Sequence, residues 1–401
     1  MITQLSKKEI QKFIQDHLYD DPALLMLKAA NHPDIPMREA VEQIQSKRKA
    51  KQKLPDWFAT EGIVYPPVLS LEQCSSERTA LYKASLVQGQ TMIDLTGGMG
   101  IDTFYLSRSF EETHYVERQM HLVELAKHNF QRLDANSIES HHDQAESFLK
   151  SLAKRVDLIY LDPARRGAQN SKVVRFEDCE PNVIELLPEL RRHSESILIK
   201  ASPMLDIKGA INDLGEVTAV HVIADRNEVK ELLFFIDENA SVNPEVHTIN
   251  LRPEGEWRFS FDYERESGLL TQFGTVSDFI YEPNAAILKA GAFKSIGEQF
   301  PSMAKLHANT HLYTSDGLIE NFPGRVFQVL DTLQMNKKQL RRKLPEMRAN
   351  ISVRNFPMSV EQIRKKTGLK GGGEDYVFGL TDTEGVKFCL LKKNPDYGQG
   401  A

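Results

Sequence analysis

Cysteine is scarce in this chain of 401 residues, which contains only Cys74, Cys179 and Cys389. The three are far apart in sequence, and this spacing excludes a Cys-x-x-Cys redox or metal motif. A protein that keeps so few scattered thiols fits a reducing compartment. We therefore expect a cytoplasmic location.

Long apolar runs are missing as well. The opening stretch, MITQLSKKEIQKFIQDHLYDD, has no apolar core of the kind found in signal peptides. No later run approaches the length that spans a bilayer, so we expect no association with a membrane. His141 and His142 are adjacent rather than spaced along one helix face, so we expect no metal either.

An excess of positive charge is also absent, because the net charge of the chain is −6. This balance argues against indiscriminate coating of nucleic acid, but it does not exclude RNA, since local basic patches decide such contacts. Hydrophobic residues make up 41% of the chain and charged residues 26%, which is typical of a soluble globular protein.

Four regions differ in their sequence pattern. Residues 1–70 carry apolar residues at helical spacing and end in prolines that mark a boundary. Residues 71–238 alternate strands with helices, which predicts an α/β fold with a mostly parallel sheet. The strands VTAVHVIAD and ELLFFID are close enough for a hairpin, so one strand should be antiparallel. Residues 239–320 and 321–401 predict small α+β modules.

Acidic residues follow the predicted strands of the second region. Asp94 closes the first strand ahead of a glycine-rich turn, and Glu117 closes the next one. Asp143 and Asp162 follow two further strands. Because ligands of open α/β folds bind at the carboxyl ends of the strands, these acids predict one shared binding site.

Two of these acids also have structural explanations. Asp94 would serve as a loop cap, and Glu117 would be the acid that favours the start of a helix. Their combination with the later strand ends favours a ligand. A dinucleotide is disfavoured, because the third glycine of a G-x-G-x-x-G motif counted from Gly98 falls on Thr103.

The glycine loop, the series of acids and the Asp162-Pro163 turn resemble the motifs of class I S-adenosylmethionine-dependent methyltransferases. The resemblance covers about residues 71–238. It implies a Rossmann-like, seven-stranded sheet and S-adenosyl-L-methionine as the cofactor. The chain departs from the family pattern at Thr96, where a glycine is usual.

The resemblance also implies roles for the residues of the cofactor site. Asp94 and the backbone of residues 97–100 would hold the methionine portion. Glu117 would take the ribose hydroxyls, and Asp143 with Gln144 would face the adenine. A polar stretch upstream of the first strand would close the pocket.

In that upstream stretch, Gln73, Ser75 and Ser76 would touch the cofactor. The alternative is that Ser75 or Ser76 caps the helix that follows. The expected cofactor-binding residues are Gln73, Ser75, Asp94, Thr96, Gly97, Gly98, Gly100, Glu117, Asp143 and Gln144.

The fourth strand ends in the turn Asp162-Pro163-Ala164-Arg165-Arg166, where this family places the methyl acceptor. A carboxylate accepts a hydrogen bond from an attacking amine and orients it, and proline fixes the loop. The resemblance therefore implies that Asp162, Pro163 and Arg165 are the catalytic residues.

The arginines of this turn bear on which atom of the substrate is methylated. Arg165 stands where amine methyltransferases of the family have an aromatic residue, and in this it resembles RNA uridine-C5 methyltransferases. Those enzymes need a cysteine nucleophile, which the equivalent stretch LIKASP lacks, so methylation of nitrogen or oxygen is favoured. Arg165 and Arg166 would stack on a base or hold a phosphate, or alternatively pair with surface acids such as Glu177.

The segments FIYEPNAAILKAG, from Phe279, and NISVRNFPMSVEQIRKKTGLKGGGEDYVFGL resemble bacterial methyltransferases that carry a ferredoxin-like fold followed by a THUMP-like domain. THUMP domains are associated with RNA, chiefly tRNA. Basic residues beside an aromatic suit folded or single-stranded RNA, although they also fit a solvated helix face with Phe356 in the core. The expected substrate-binding residues are Arg166, Lys200, Lys338, Arg342, Arg354 and Lys366.

Together these features predict an S-adenosylmethionine-dependent methyltransferase that acts on a base nitrogen of tRNA or rRNA. One alternative is a methyltransferase for a protein or a small molecule. Another is a non-catalytic RNA-binding protein that retains cofactor affinity.

Overall fold

The computed structural model describes residues 2–165 and 175–393. Two compact units make up the chain: unit 1 contains Met1–Thr218 and Leu233–Val242, and unit 2 contains Ala219–Leu232 and Asn243–Ala401. The division passes through one β-strand, so this strand belongs in part to each unit.

The N-terminal part of unit 1 is helical, as predicted. Its helices are α1 (Ile2–Leu5), α2 (Lys8–Asp16), α3 (Pro22–Leu27), α4 (Met37–Lys53), α5 (Pro55–Ala59) and α6 (Val68–Gln73). Helix α2 buries Ile10, Phe13 and Ile14, the stripe that its apolar spacing produces. Helix α3 begins where the Asp21 carboxylate accepts two backbone N–H groups ahead of a proline.

Strands and helices alternate in the next part of the chain. They are α7 (Glu77–Ala84), β1 (Gly89–Asp94), α8 (Ile101–Ser107), β2 (Phe110–Glu117), α9 (Met120–Arg132), β3 (Ile138–His142), α10 (Ala145–Ser151), β4 (Val156–Leu161), β5 (Ala164–Arg165), β6 (Cys179–Glu180), α11 (Val183–His193), β7 (Ser194–Ala201), α12 (Ile207–Leu214), β8 (Ala219–Asp225), β9 (Glu228–Ile236), β10 (Glu245–Arg252) and β11 (Gly255–Asp262).

The larger sheet has the strand order β11-β10-β8-β9-β7-β4-β1-β2-β3. Strands β7, β4, β1, β2 and β3 are parallel. Strands β8 and β9 are neighbours joined by Arg226 and Asn227, both at positive φ, which is the two-residue turn of an antiparallel hairpin. The predicted class I methyltransferase sheet, with its one antiparallel strand, is therefore confirmed.

Two further strands extend this sheet beyond the seven that were predicted. In unit 2, β10 pairs with β8 in parallel, and β11 pairs with β10 antiparallel. Strand β8 is buried along nearly its whole length, so its outer edge needs a partner for its backbone groups. The predicted boundary at residue 238 falls between β9 and β10, and the domain limits stay predictions.

The remainder of unit 2 forms a second sheet. Its elements are α13 (Tyr263–Gly268), β12 (Phe279–Pro283), α14 (Ala285–Ala290), α15 (Ser295–Gln299), β13 (Ala304–His307), β14 (Thr310–Ser315), β15 (Gly324–Thr332), α16 (Lys337–Lys343), β16 (Asn350–Arg354), α17 (Val360–Thr367), β17 (Asp375–Asp382) and β18 (Gly385–Lys393). The strand order is β13-β14-β12-β15-β18-β17-β16, around a core that includes Ile280, Phe327 and Phe378. One sheet thus joins the two predicted C-terminal modules.

Among the helices in the described ranges, none combines the length and the apolar character that crossing a membrane requires.

Asn129 of α9 fastens the N-terminal helical region to the sheet domain within unit 1. Its side-chain amide donates to the Val64 carbonyl at 2.9 Å and accepts from the Val64 N–H at 3.0 Å, and both residues are buried. We expect Asn129→Ala to lower the free energy of unfolding by about 1–3 kcal/mol, because two buried backbone groups lose their partner.

Urea denaturation at constant pH measures this change. The control is Lys127→Ala, an exposed position on the same helix, which should alter the free energy of unfolding by less than about 0.5 kcal/mol. Equal effects of the two substitutions would contradict the role assigned to Asn129.

Candidate active site

The carboxyl ends of four parallel strands meet at one edge of the larger sheet. Asp94 at the end of β1 lies opposite Tyr115 of β2 and Tyr160 of β4, and Glu117 lies opposite His142 of β3. A cavity of about 320 Å³ opens at this edge. Its volume falls within the range of small-molecule sites, roughly 300–1,000 Å³. Residues predicted from the sequence that line it are Thr96, Gly98, Glu117, Asp143, Gln144 and Asp162.

The glycine loop between β1 and α8 leaves backbone open toward this cavity. A Cβ at Gly97 would lie 2.2 Å from the Tyr115 ring, so only glycine fits beneath that ring. Gly98 has a φ of +53°, and a Cβ there would meet only the Thr96 carbonyl, at 3.7 Å. The two positions therefore require glycine for different reasons. Gly97 allows close packing against the Tyr115 ring, and Gly98 allows a left-handed backbone that a ligand can approach.

Glu117 holds the loop and lines the cavity at the same time. Its carboxylate accepts the N–H of Gly98 at 3.0 Å and the N–H of Gln119 at 2.8 Å. Each carboxylate oxygen has a second lone pair, so hydrogen bonds to a ligand are still available. Both the ligand role and the helix-start role that the sequence left open are compatible with this geometry.

Asp94 is placed differently, because only 1% of its surface is exposed and it does not line the cavity. It accepts the N–H of Thr96 at 2.9 Å and the hydroxyl of Thr103 at 2.6 Å. Burial raises the pKa of Asp94 to about 7, against the effect of these hydrogen bonds. Through these two hydrogen bonds the buried Asp94 carboxyl holds the conformation of the glycine loop.

Thr96, the departure from the family pattern, connects the loop to the turn after β4. Its hydroxyl oxygen accepts the backbone N–H of Asp162 at 2.6 Å. A glycine could not make this bond. The side chain therefore fixes the distance between the glycine loop and the Asp162-Pro163 turn.

Lys200 of β7 joins Asp162 to a second, buried carboxylate. Its ammonium lies 2.6 Å from Asp162 Oδ2 and 3.2 Å from Asp102 Oδ2. The Lys200 side chain is 11% exposed, whereas that of Asp162 is 41% exposed and reaches the cavity. The ion pair therefore fixes the Asp162 carboxylate at the cavity wall.

Asp102 is the centre of this network. Its carboxylate also lies 3.2 Å from the ammonium of the buried Lys83 and accepts hydroxyl hydrogen bonds from Ser75 and Tyr160 at 2.8 and 2.7 Å. Burial works against its charge, but Lys200 and Lys83 together hold the pKa of Asp102 below its usual range.

In the upstream stretch the structure shows the capping alternative drawn from the sequence, at Ser76. Ser76 caps α7 by accepting the N–H of Thr79, whereas Ser75 is buried among Asp102, Lys83 and Lys200. Gln73 is exposed and does not line the cavity. Ser75 therefore acts on the wall behind the site, and a direct contact with a ligand stays a prediction.

The remaining expected residues are spread over both units. Arg166 and the side chain of Arg165 lie outside the described residues. Lys338, Arg342 and Lys366 are exposed on α16 and α17 of unit 2.

Two other residues expected to contact RNA have internal packing in unit 2. The Arg354 guanidinium binds the buried carboxylate of Glu282, which also binds Arg325. Phe356 is half-buried and packs beside Gly379, where a Cβ would lie 2.8 Å from its ring. Arg354 and Phe356 therefore have structural partners of their own.

Sequence reasoning did not identify the roles of Asp102, Lys83 and Tyr160. The contacts of Asp102 with Lys83, Tyr160 and Lys200 join residues 19 to 98 positions apart, so no local spacing reveals them. The signal in the sequence was a lysine within the apolar face of ERTALYKASL, which suggests a buried charge that needs a partner.

A cavity of about 870 Å³ in unit 2 is larger than the one at the strand ends. It is lined by residues of β10, β11, α13 and α15, among them Glu245, Arg265 and Glu298. None of the residues predicted for the site lies there. We assign the site to the smaller cavity because it gathers strand-end acids and an open glycine backbone.

Family models match three stretches of the chain. Residues 279–323 match a ferredoxin-like domain, residues 324–392 match a THUMP domain-like family, and residues 77–175 match the family described as conserved hypothetical protein 95. A search of curated proteins returned no match.

Solved structures identify the class and the family. A "putative methyltransferase" from Porphyromonas gingivalis W83 is 33% identical to the chain, over 96% of this chain and 97% of that one, with a TM-score of 0.85. The fold is therefore that of the class I methyltransferases. The chain belongs to the family of that protein, with C-terminal ferredoxin-like and THUMP-like domains.

Two other structures match a smaller share of the chain. TrmK from M. capricolum, in complex with S-adenosyl-homocysteine, is 12% identical over 40% of this chain and 67% of that one, with a TM-score of 0.31. An rRNA methylase from Streptococcus thermophilus is 12% identical over 40% and 93%, also with a TM-score of 0.31. At these scores the two likenesses carry no argument about function.

The raised pKa of Asp94 predicts a pH-dependent stability. In the unfolded chain this carboxyl titrates near its ordinary value of about 3.9, so between about pH 4 and 7 the folded protein holds a proton that the unfolded chain releases. The free energy of unfolding should therefore fall as the pH rises through this window.

Denaturation of the wild type and of Asp94→Asn, which has no ionisable group there, isolates this effect. From pH 5 to pH 7.5 the wild type should lose about 2 kcal/mol relative to the variant. A difference between the two proteins that does not change with pH would show that Asp94 titrates normally.

Proposed function

We propose that this protein is a cytoplasmic S-adenosylmethionine-dependent methyltransferase that modifies a base nitrogen of RNA, in tRNA or rRNA. The observation that carries the proposal is that Gly98, Glu117 and Asp162 line one cavity. The cavity thus brings together the open backbone at Gly98, the Glu117 carboxylate, which would bind hydroxyl groups, and the Asp162 carboxylate, which would bind an amine. The methyltransferase family of the chain supports the same function.

The residues present fit the cofactor. The left-handed backbone at Gly98 leaves room for close approach, and a Cβ in its place would meet no side chain within 4 Å. Glu117 is held by two N–H groups, so its carboxylate is oriented before a ribose binds. Asp143 and Gln144 line the same cavity after β3 and would face the adenine. When bound, S-adenosylmethionine supplies a methyl group on a positively charged sulfur.

Asp162 would accept a hydrogen bond from the attacking amine and direct its lone pair toward the methyl group. Two contacts hold Asp162 in place: its backbone N–H donates to Thr96, and its carboxylate pairs with Lys200. Such positioning of a nucleophile is a large part of what an enzyme contributes to a transfer reaction. Pro163 restricts the backbone directly after the carboxylate.

The proposal that the substrate is RNA depends on features of unit 2. A THUMP domain-like match covers residues 324–392, and the exposed basic residues of α16 and α17 lie within it. Lysine and arginine on one surface attract the phosphates of a nucleic acid even when the net charge of the protein is negative. Lys338, Arg342 and Lys366 are the residues we expect to contact the RNA.

We expect Glu117→Gln to weaken the binding of S-adenosylmethionine by about 10- to 100-fold, because the charged acceptor for the ribose hydroxyls is lost. Isothermal titration calorimetry on the purified protein measures the dissociation constant. Glu124→Gln, at an exposed position of α9, is the control and should bind as the wild type does. A wild type that shows no binding would refute the cofactor assignment.

We expect Asp162→Ala to retain cofactor binding and to lose methyl transfer, by about 100-fold or more, since the attacking amine is no longer oriented. The assay is nucleoside mass spectrometry of RNA from cells that lack the gene and carry either the wild type or the variant.

One methylated nucleoside should be missing without the gene, return with the wild type and stay missing with Asp162→Ala. If S-adenosylmethionine with a labelled methyl group transfers the label to protein and not to RNA, the substrate is a protein and the RNA assignment is wrong. If Asp162→Ala restores the nucleoside fully, Asp162 does not position the acceptor.

A further inference from the structure

Two histidines and a glutamate meet on one face of the two outermost strands of the unit 1 part of the larger sheet. His114 lies on β2, and Glu139 and His141 lie on β3. In the register of these strands His114 is opposite Glu139, and His141 comes two residues later on the same face. Parallel pairing therefore brings His114 next to Glu139 and His141, which are 25 and 27 positions later in the sequence.

The three ligand atoms have the spacing of a metal site. His114 Nδ1 lies 3.1 Å from His141 Nε2 and 3.6 Å from Glu139 Oε2, and the last two atoms are 3.9 Å apart. Three nitrogen and oxygen ligands of a tetrahedral zinc ion at about 2.0–2.1 Å would be about 3.3 Å from one another. A small rotation of the exposed Glu139 side chain closes the difference.

The surroundings also suit a metal. On the other side of the ring, His114 Nε2 lies 3.4 Å from the Glu112 carboxylate, so Nδ1 is the nitrogen that faces His141 and Glu139. The Phe148 ring packs beside both histidines, with ring centroids 6.1 and 4.9 Å away. The side chains of His114 and His141 are only 18% and 25% exposed, so their orientation is set by the fold.

We propose that His114, Glu139 and His141 bind one divalent ion of the zinc class, which ties the outermost strand β3 to β2. Two imidazoles with one carboxylate favour zinc and its transition-metal neighbours over magnesium or calcium, which prefer oxygen ligands. The ion leaves a fourth position for water. Strand β3 leads directly into Asp143, so the ion also steadies one wall of the cavity.

The competing explanation is a hydrogen-bonded trio in which the two imidazoles share a proton beside Glu139. Titration of the untagged, EDTA-treated protein with zinc chloride in a calorimeter separates the two. We expect one zinc ion per chain, a raised melting temperature in its presence, and visible ligand-field absorption when cobalt(II) replaces zinc.

Variants locate the ion. His114→Ala and His141→Ala should lose measurable zinc binding, and Glu112→Gln should weaken it by about 10-fold. Glu139→Gln, at a side chain that is 66% exposed, tests a ligand without disturbing the core. His121→Ala removes an exposed histidine from α9 and is the control for weak binding to surface imidazoles.

No zinc uptake by the wild type, or equal losses in His121→Ala and His141→Ala, would overturn the proposal. Unchanged binding in Glu139→Gln and His114→Ala would also overturn it, because the ion would then lie elsewhere. The test does not involve the cofactor, so its outcome is independent of the proposed methyl transfer.

Discussion

The paired charges of Lys200 with Asp102 and Asp162 are the constraint on which the site depends. Lys200 comes from β7, Asp102 from α8 and Asp162 from the turn after β4, and Lys83 of α7 completes the balance from behind. Lys83, Lys200 and Asp102 are largely buried, and with the partly exposed Asp162 they make two ammonium groups and two carboxylates with no net charge. Buried charges are costly unless each has a partner, so the four elements must come together in one arrangement.

This arrangement decides what the outer face of the site can do. Asp102 is enclosed and serves the fold, whereas Asp162, through the same lysine, presents a charged oxygen to the cavity. Thr96 adds a backbone link between the glycine loop and the Asp162 turn. The glycine loop and the Asp162 turn are thus joined by one short contact, which in the function we propose would hold the bound cofactor and the methyl acceptor close together.

The parts predicted from sequence were those that local patterns determine. Alternating strands and helices indicated the sheet, and the acids after the strands predicted a binding site at one edge of it, because parallel strands place their ends together. The extension of the sheet by β10 and β11 was not predicted, since β10 pairs with β8 because β8 is buried, and β11 pairs in turn with β10. The four-charge network and the His114 cluster were missed because they form between distant positions.

The pairing of β10 with β8 has a consequence for protein engineering. A methyltransferase domain cut after residue 238 would lack β10, and β8 would then present a row of unpaired N–H and C=O groups beside apolar side chains such as Val220 and Val222. Exposed edges of this kind recruit strands from other molecules. The shortened domain should therefore aggregate. The cause would be the loss of β10 from the edge of β8, and not a defect in the site.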